Sequence, residues 1–251
     1  MKRPIKIMLI LLGALILCVL VIMANIARSR SQVQGIEIAI RYGKTPALVG
    51  ESTVVDTVLA AIPNLMQKQV KSVDCRRVEA AARRVPFLEH VDAQVSVSGK
   101  IVIRANQRRP IARLFYGNQE VYFDRDGALF PTGRMGDCDV LVAGGEFNTP
   151  LPHACTDSAA TLLHQLWTLA CFLDEESQYG KLVNQIFIQQ DGDLMMVPTL
   201  GPIVELGTVD DLDEKFSNLW TFYRKGMPRA GWQTYSQISL KFKNQVVCTK
   251  K

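Results

Sequence analysis

Val91-Asp92-Ala93-Gln94-Val95-Ser96-Val97, followed by Ser98-Gly99 and then Lys100-Ile101-Val102-Ile103-Arg104-Ala105, is the stretch on which the fold turns. The first run alternates apolar and polar residues, the period of a half-buried strand. Ser98-Gly99 makes a tight turn, and the second run returns as the other arm of a hairpin. Working backward, Asp74 to Arg84 reads as a helix with Asp74 as its cap, Val78, Ala81 and Ala82 facing inward, and Pro86 closing it. Before it, Ser52–Ile62 reads as a second helix, capped by Ser52, with Val54, Val55, Val58, Leu59 and Ile62 inward and Pro63 as its stop. Gly35–Tyr42 alternates again, as a strand. Residues 35–106 are therefore expected as a small α+β module, strand, helix, helix, strand, strand, with helices on one face of a short sheet.

Forward of Pro110 the pattern changes. Ile111–Phe115, Glu120–Asp124 and Ala128–Phe130 read as short strands broken by Gly117-Asn118 and Asp126-Gly127. Asp157–Asp174 is an amphipathic helix with Leu162, Leu163, Leu166, Leu169, Ala170 and Leu173 on one face. Asn184–Gln190 and Asp193–Val197 flank an Asp191-Gly192 turn as a hairpin. Ile203–Leu206 is a strand ended by Gly207, and Asp210–Arg224 a helix with Leu212, Phe216, Leu219 and Tyr223 inward. The chain finishes as Ser236–Lys243, an Asn244-Gln245 turn and Val246–Lys250. Residues 107–251 thus read as a mixed, β-rich domain with two helices, and the fold class as α+β.

At the other end, Ile7 to Ile26 holds no charge. Twenty helical residues span roughly 30 Å, the hydrocarbon thickness of a bilayer. The reading is a short cytoplasmic tail (1–6), a transmembrane helix (7–26) contacting the lipid bilayer, and a linker (27–34). A cleaved signal is the alternative. Its apolar core is only about 7–15 residues long, and Ala24-Asn25-Ile26-Ala27 fits a cleavage site poorly. Leu17 before Cys18 also argues against a lipoprotein signal. Lys2, Arg3 and Lys6 precede the run, Arg28 and Arg30 follow it, and the amino terminus tips the balance toward a cytoplasmic N-terminus.

Those five side chains equal the whole net charge of +5, so the remainder is neutral, which argues against nucleic acid as a partner. The neutral part is split: residues 31–110 carry a net +5 and residues 111–251 a net −5. The basic half lies next to the anchor, where anionic headgroups favour it.

Catalytic constellations are not visible. The six cysteines (Cys18, Cys75, Cys138, Cys155, Cys171, Cys248) include no CxxC pair. A Cys138–Cys155 bridge is one option, buried free thiols the plainer one. His90, His153 and His164 have neither metal-ligand spacing nor a nucleophile nearby. Asp124-Arg125-Asp126-Gly127 opens like a calcium loop, but Met135 stands where the bidentate Glu belongs, so an Asp-Gly turn is expected. No catalytic residue, metal, cofactor or small-molecule substrate is assigned.

The joins carry a resemblance. Val85-Pro86-Phe87-Leu88-Glu89-His90-Val91, then Val95, Ile101-Val102-Ile103 and Gln107-Arg108-Arg109-Pro110-Ile111-Ala112, resembles the POTRA-to-β junction of the FtsQ/DivIB bacterial cell-division proteins. Tyr122 to Pro131, Ile203-Val204-Glu205-Leu206-Gly207 with Lys215 and Phe216, and Gln237-Ile238-Ser239-Leu240-Lys241-Phe242-Lys243 resemble later segments of that family in the same order. Gln107, Ser239 and Lys241 stand where Glu, Asp and Arg are usual.

The resemblance implies a POTRA-like first domain and a non-enzymatic divisome scaffold in the cytoplasmic membrane at the septum, its bulk periplasmic. It also implies recruitment of FtsB- and FtsL-like partners by strand pairing on the last strand, here Val246, Val247, Cys248, Thr249 and Lys250. Lys241, Phe242 and Lys243 are expected to support that hairpin. Lys241, Lys243 and Lys250 would guard the edge and attract an acidic partner. The rival readings are another POTRA-bearing envelope assembly or transport factor, which would need tandem repeats or a barrel, and an anchored cell-wall enzyme.

Overall fold

The structure, a computed structural model, describes residues 12–23, 32–133, 135–147, 149–157 and 161–251. The chain divides into two compact units, Met1–Gln107 and Arg108–Lys251.

Residues 12–23 form a helix, α1, apolar on all sides, with Leu17 64% exposed. Twelve helical residues span about 18 Å, short of a bilayer core. Among the described residues no helix is long and apolar enough to cross a membrane. The transmembrane helix expected over 7–26 is thus described only over 12–23. Its remaining residues, the tail 1–6 and the linker up to residue 31 lie outside the described residues.

In the first unit β1 (Gly35–Arg41), β2 (Leu88–Val95) and β3 (Lys100–Gln107) form a sheet ordered β1-β3-β2. β1 runs parallel to β3, with Ile38 opposite Ile103, and β2 pairs antiparallel to β3 as a hairpin. α2 (Glu51–Ala61) and α3 (Cys75–Ala82) supply the other half of the core. Asp74 caps α3, its Oδ1 accepting from Arg76 N and Arg77 N. Ser52 does not cap α2: the helix starts a residue earlier, after Gly50, without a side-chain cap. Val54, Val58 and Ile62 recur every fourth residue and are buried, which turns Leu59 to the rim at 36% exposure. Gln107 belongs to this unit, one residue past the expected boundary. Its Oε1 accepts from Leu48 N at 2.7 Å, and its Nε2 donates to Pro46 O at 2.9 Å and Thr45 Oγ1 at 3.1 Å.

Among the described residues the second unit holds one nine-stranded sheet. β4 (Ala112–Tyr116), β5 (Gln119–Phe123) and β6 (Leu129–Pro131) form an antiparallel meander. β7 (Leu141–Gly145) lies parallel to both β4 and β8 (Val183–Ile188). No periodicity announced β7, because Gly144 and Gly145 interrupt it. A Cβ on Gly145 would lie 2.8 Å from Ile188 O, so close strand packing demands the glycine. β9 (Leu194–Pro198) pairs with β8 and with β10 (Ile203–Gly207), and β11 (Tyr235–Ser239) and β12 (Val247–Lys250) complete the order β12-β11-β10-β9-β8-β7-β4-β5-β6.

α4 (Leu162–Glu175), α5 (Ser177–Gly180), α6 (Leu212–Lys225) and α7 (Met227–Ala230) complete the unit. α4 begins at a Thr161 cap rather than at Asp157. Leu163, Leu166, Leu169, Ala170 and Leu173 of α4 and Phe216, Leu219 and Tyr223 of α6 close the core over the sheet. Asp124 sits in a turn, its Oδ1 accepting from Asp126 N and Ala128 N. The cysteines are free thiols.

Candidate functional site: the terminal edge strand

β11 is interior to its sheet, parallel to β10 and antiparallel to β12. Beyond β12 the order ends. Ile238 is fully buried, and Cys248, directly opposite, packs half-buried against the same core. Strand geometry then sends Val247 and Thr249 to the other face, beside Ser239 and Gln237. Val247 is 41% exposed and Thr249 and Lys250 are exposed. Alternate N–H and C=O groups of an outermost strand point away from the sheet with no ladder partner. A bulge between Tyr235 and Gln237 twists the hairpin, and the Ser236 hydroxyl donates to Thr249 O at 3.2 Å.

The loop before β12 departs from the expected reading. Ser236–Lys243 does not continue as one strand. β11 ends at Ser239, and Leu240 N instead donates to Glu205 O at 2.8 Å. Lys241, Phe242 and Lys243 are loop residues, and Val246 precedes the strand. Lys241 does not guard the edge. Its Nζ lies 2.5 Å from Asp193 Oδ2 and 3.6 Å from Glu205 Oε1, and the bond to Asp193 raises its pKa above the usual lysine value. A Cβ on Gly207 would meet Lys241 Cγ at 2.8 Å, so the lysine stem crosses where only glycine leaves room. Phe242 is 56% exposed, and Lys243 and Lys250 remain exposed.

Between this loop and the start of α6 lies a groove of about 220 Å³, walled by Asp210, Asp211, Glu214 and Lys215 on one side and Phe242, Lys243 and Asn244 on the other. Lys215 Nζ donates to Thr208 O at 2.7 Å, and burial lowers its pKa. Asn244, with φ +57, turns the chain, and its N–H donates to Glu214 Oε1 at 3.1 Å. The loop leading into the edge strand therefore carries an exposed aromatic ring and forms one wall of a mixed-charge groove. Such an arrangement suits an extended polypeptide, with main-chain bonds supplying affinity and side pockets specificity.

Burial pushes the Cys155 thiol up to about 12 and the Cys171 thiol up to about 11, so both stay protonated and poor nucleophiles. His164 Nδ1 lies 3.3 Å from Cys155 O, and Trp167 Nε1 donates to Asp124 O at 3.0 Å. Among the described residues no group of three or more His, Cys, Asp and Glu side chains could hold a metal.

Val247, Cys248, Thr249 and Lys250 thus come together as one strand, with Phe242 and Lys243 in the loop that precedes it and Lys241 paired with Asp193. Sequence reasoning missed Glu205 and Asp193, the acids that hold Lys241. Its only signal for them was Asp193 at the hairpin turn. No curated protein matches the chain. Residues 109–249, more than half of the chain and reaching from β4 into β12, match the family described as "FtsQ/DivIB, C-terminal related". The chain belongs to this FtsQ/DivIB-related family of cell-division proteins.

Proposed function

We propose that the protein is a non-enzymatic divisome scaffold, anchored in the cytoplasmic membrane by residues 7–26, with its POTRA-like module and β domain in the periplasm at the septum. On this reading it recruits FtsB- and FtsL-like membrane proteins for septal peptidoglycan synthesis, and one partner adds a strand to β12. The observation that carries the proposal is the position of β12 at one end of a nine-stranded sheet, entered from a loop that exposes Phe242. The family membership supports the division role.

Val247→Pro removes a main-chain donor from the edge strand. Copurification of coexpressed FtsB- and FtsL-like partners is expected to fall by about tenfold or more, equivalent to at least about 1.4 kcal/mol, while the far-ultraviolet dichroism of the domain stays unchanged. Undiminished capture by a folded variant would sink the strand-addition reading. A fluorescent fusion spread evenly around the envelope, rather than gathered at the septum, would sink the division role.

A further inference from the structure

The chain enters the first unit at one end of the sheet. There Val33 N donates to Lys68 O and Gln34 N to Gly99 O, each at 3.1 Å, and Gln32 forms an antiparallel bridge with Gln69. β3 begins at this end, with Gly35 opposite Lys100, and β2 finishes there, with Val95 opposite Ile101. α3 begins there too, with the Cys75 thiol close to the Val95 main chain. Four elements therefore surround the point of entry: the 3-10 turns Leu65–Gln67 and Val70–Ser72, the first turn of α3, and the β2–β3 turn.

Their side chains are one-sided in charge. Lys71, Arg76, Arg77 and Lys100 are exposed and Lys68 is half-exposed. Asp74, whose Oδ1 is engaged by the helix N–H groups, and Glu37, 3.6 Å from Lys100, oppose them, and Glu79 and Asp92 lie within electrostatic reach of Cys75 at the start of α3. Among these cations stand two apolar side chains without cover, Val97 at 79% and Met66 at 38% exposure. The opposite end carries both signs, with Arg41, Arg83 and Arg104 lining one concave surface together with Glu89 and Asp92. Eight residues join α1 to Gln32, and such a segment reaches at most about 30 Å.

We infer that this end of the first unit rests on an anionic lipid surface, with Lys71, Arg76, Arg77 and Lys100 facing headgroups and Val97 and Met66 entering the interface. The inference rests on the proposed anchor, which holds this end within reach of the bilayer. Anionic headgroups attract clustered basic side chains, and small apolar tips among them add contact at the acyl boundary.

The test uses the full chain in nanodiscs of phosphatidylcholine alone or with roughly one third phosphatidylglycerol, a lipid fraction that makes the surface strongly negative. Amide hydrogen exchange is followed by mass spectrometry. Residues 65–72 and 96–99 are expected to exchange about fivefold more slowly on the anionic surface, to lose that protection in high salt, and to lose it in the variant Lys71→Glu/Arg76→Glu/Arg77→Glu. Unchanged exchange in β3 shows that the variant is folded. Equal exchange on the two surfaces, or protection that survives high salt, overturns the inference. Flotation with phosphatidylcholine vesicles separates the two ideas. A chain that floats but shows no lipid-dependent protection overturns this inference alone, and a chain that does not float overturns the anchor and the inference together.

Discussion

Arg108 Nη1 stands 2.6 Å from Asp124 Oδ2, and the aspartate side chain is only 6% exposed. The same carboxylate uses its other oxygen to hold the Asp126–Ala128 turn. One side chain therefore ties the first residue of the second unit to the β5–β6 connection. Arg109 and Arg125 add a second anchor on Asp174 at the end of α4.

Asp124→Asn keeps a turn acceptor but leaves Arg108 half-buried without its counter-charge. Breaking such a pair from one side costs about 2–3 kcal/mol at this partial exposure. Asp124→Ala, which also loses the turn bonds, is expected to cost about 1 kcal/mol more. Denaturant unfolding of the full chain in detergent, read through the second unit's tryptophans, measures both. Equal midpoints for wild type and Asp124→Asn would show that the pair is not stabilising.

Gly207 has φ +74, and Lys241 crosses where its Cβ would be. Gly207→Ala is expected to cost about 2 kcal/mol, from left-handed strain and the clash together. In a Lys241→Ala background the clash is gone and only the strain remains, about 1 kcal/mol. A double-mutant cycle by thermal unfolding checks the coupling, and strict additivity of the two substitutions would contradict it.

Gln107→Glu restores the residue that the family phrase carries but points a carboxylate at the Pro46 carbonyl, which now receives a hydrogen bond at 2.9 Å. The variant is expected to be less stable by about 2 kcal/mol at neutral pH. A carboxyl that is destabilised when charged has a raised folded pKa. The loss therefore disappears below the unfolded value of about 4.3 and grows as pH rises above it. Unfolding midpoints at acidic and neutral pH test this; a pH-independent difference between variant and wild type would contradict it.

Burial raises the Cys155 thiol from 9.0 to about 12 and the Tyr223 hydroxyl from 10.0 to about 12. Both groups ionise more easily unfolded than folded. Their contribution to stability is complete below pH 9.0 and falls away as pH rises toward about 12. Each is expected to add a slope of about 1 kcal/mol per pH unit in its window. Cys155→Ala should make the alkaline limb beginning near pH 9.0 shallower while leaving the parts carried by Cys171 and Tyr223. An unchanged alkaline slope in this variant would show that Cys155 does not carry it.

The sequence by itself determined the local elements whose period and punctuation lie within a few residues: the 91–105 hairpin about Ser98-Gly99, α3 behind Asp74, the leucine face of α4, α6, and the Asp191-Gly192 turn. Alternation, capping and turn chemistry act over short range, so they are legible without neighbours. Tertiary structure alone decided the rest. It placed β7 between β4 and β8, where Gly145 is required by the close approach of Ile188 from a distant part of the chain. It ended β11 at Ser239, because Leu240 N finds Glu205 O in a parallel neighbour. It turned Lys241 onto Asp193, 48 residues away, so an expected edge lysine became half of a surface ion pair. It also gathered the basic side chains of two turns and a helix start around Gln32. Each of these depends on which strands lie side by side, a choice made by burial of the whole sheet and not by any segment of it.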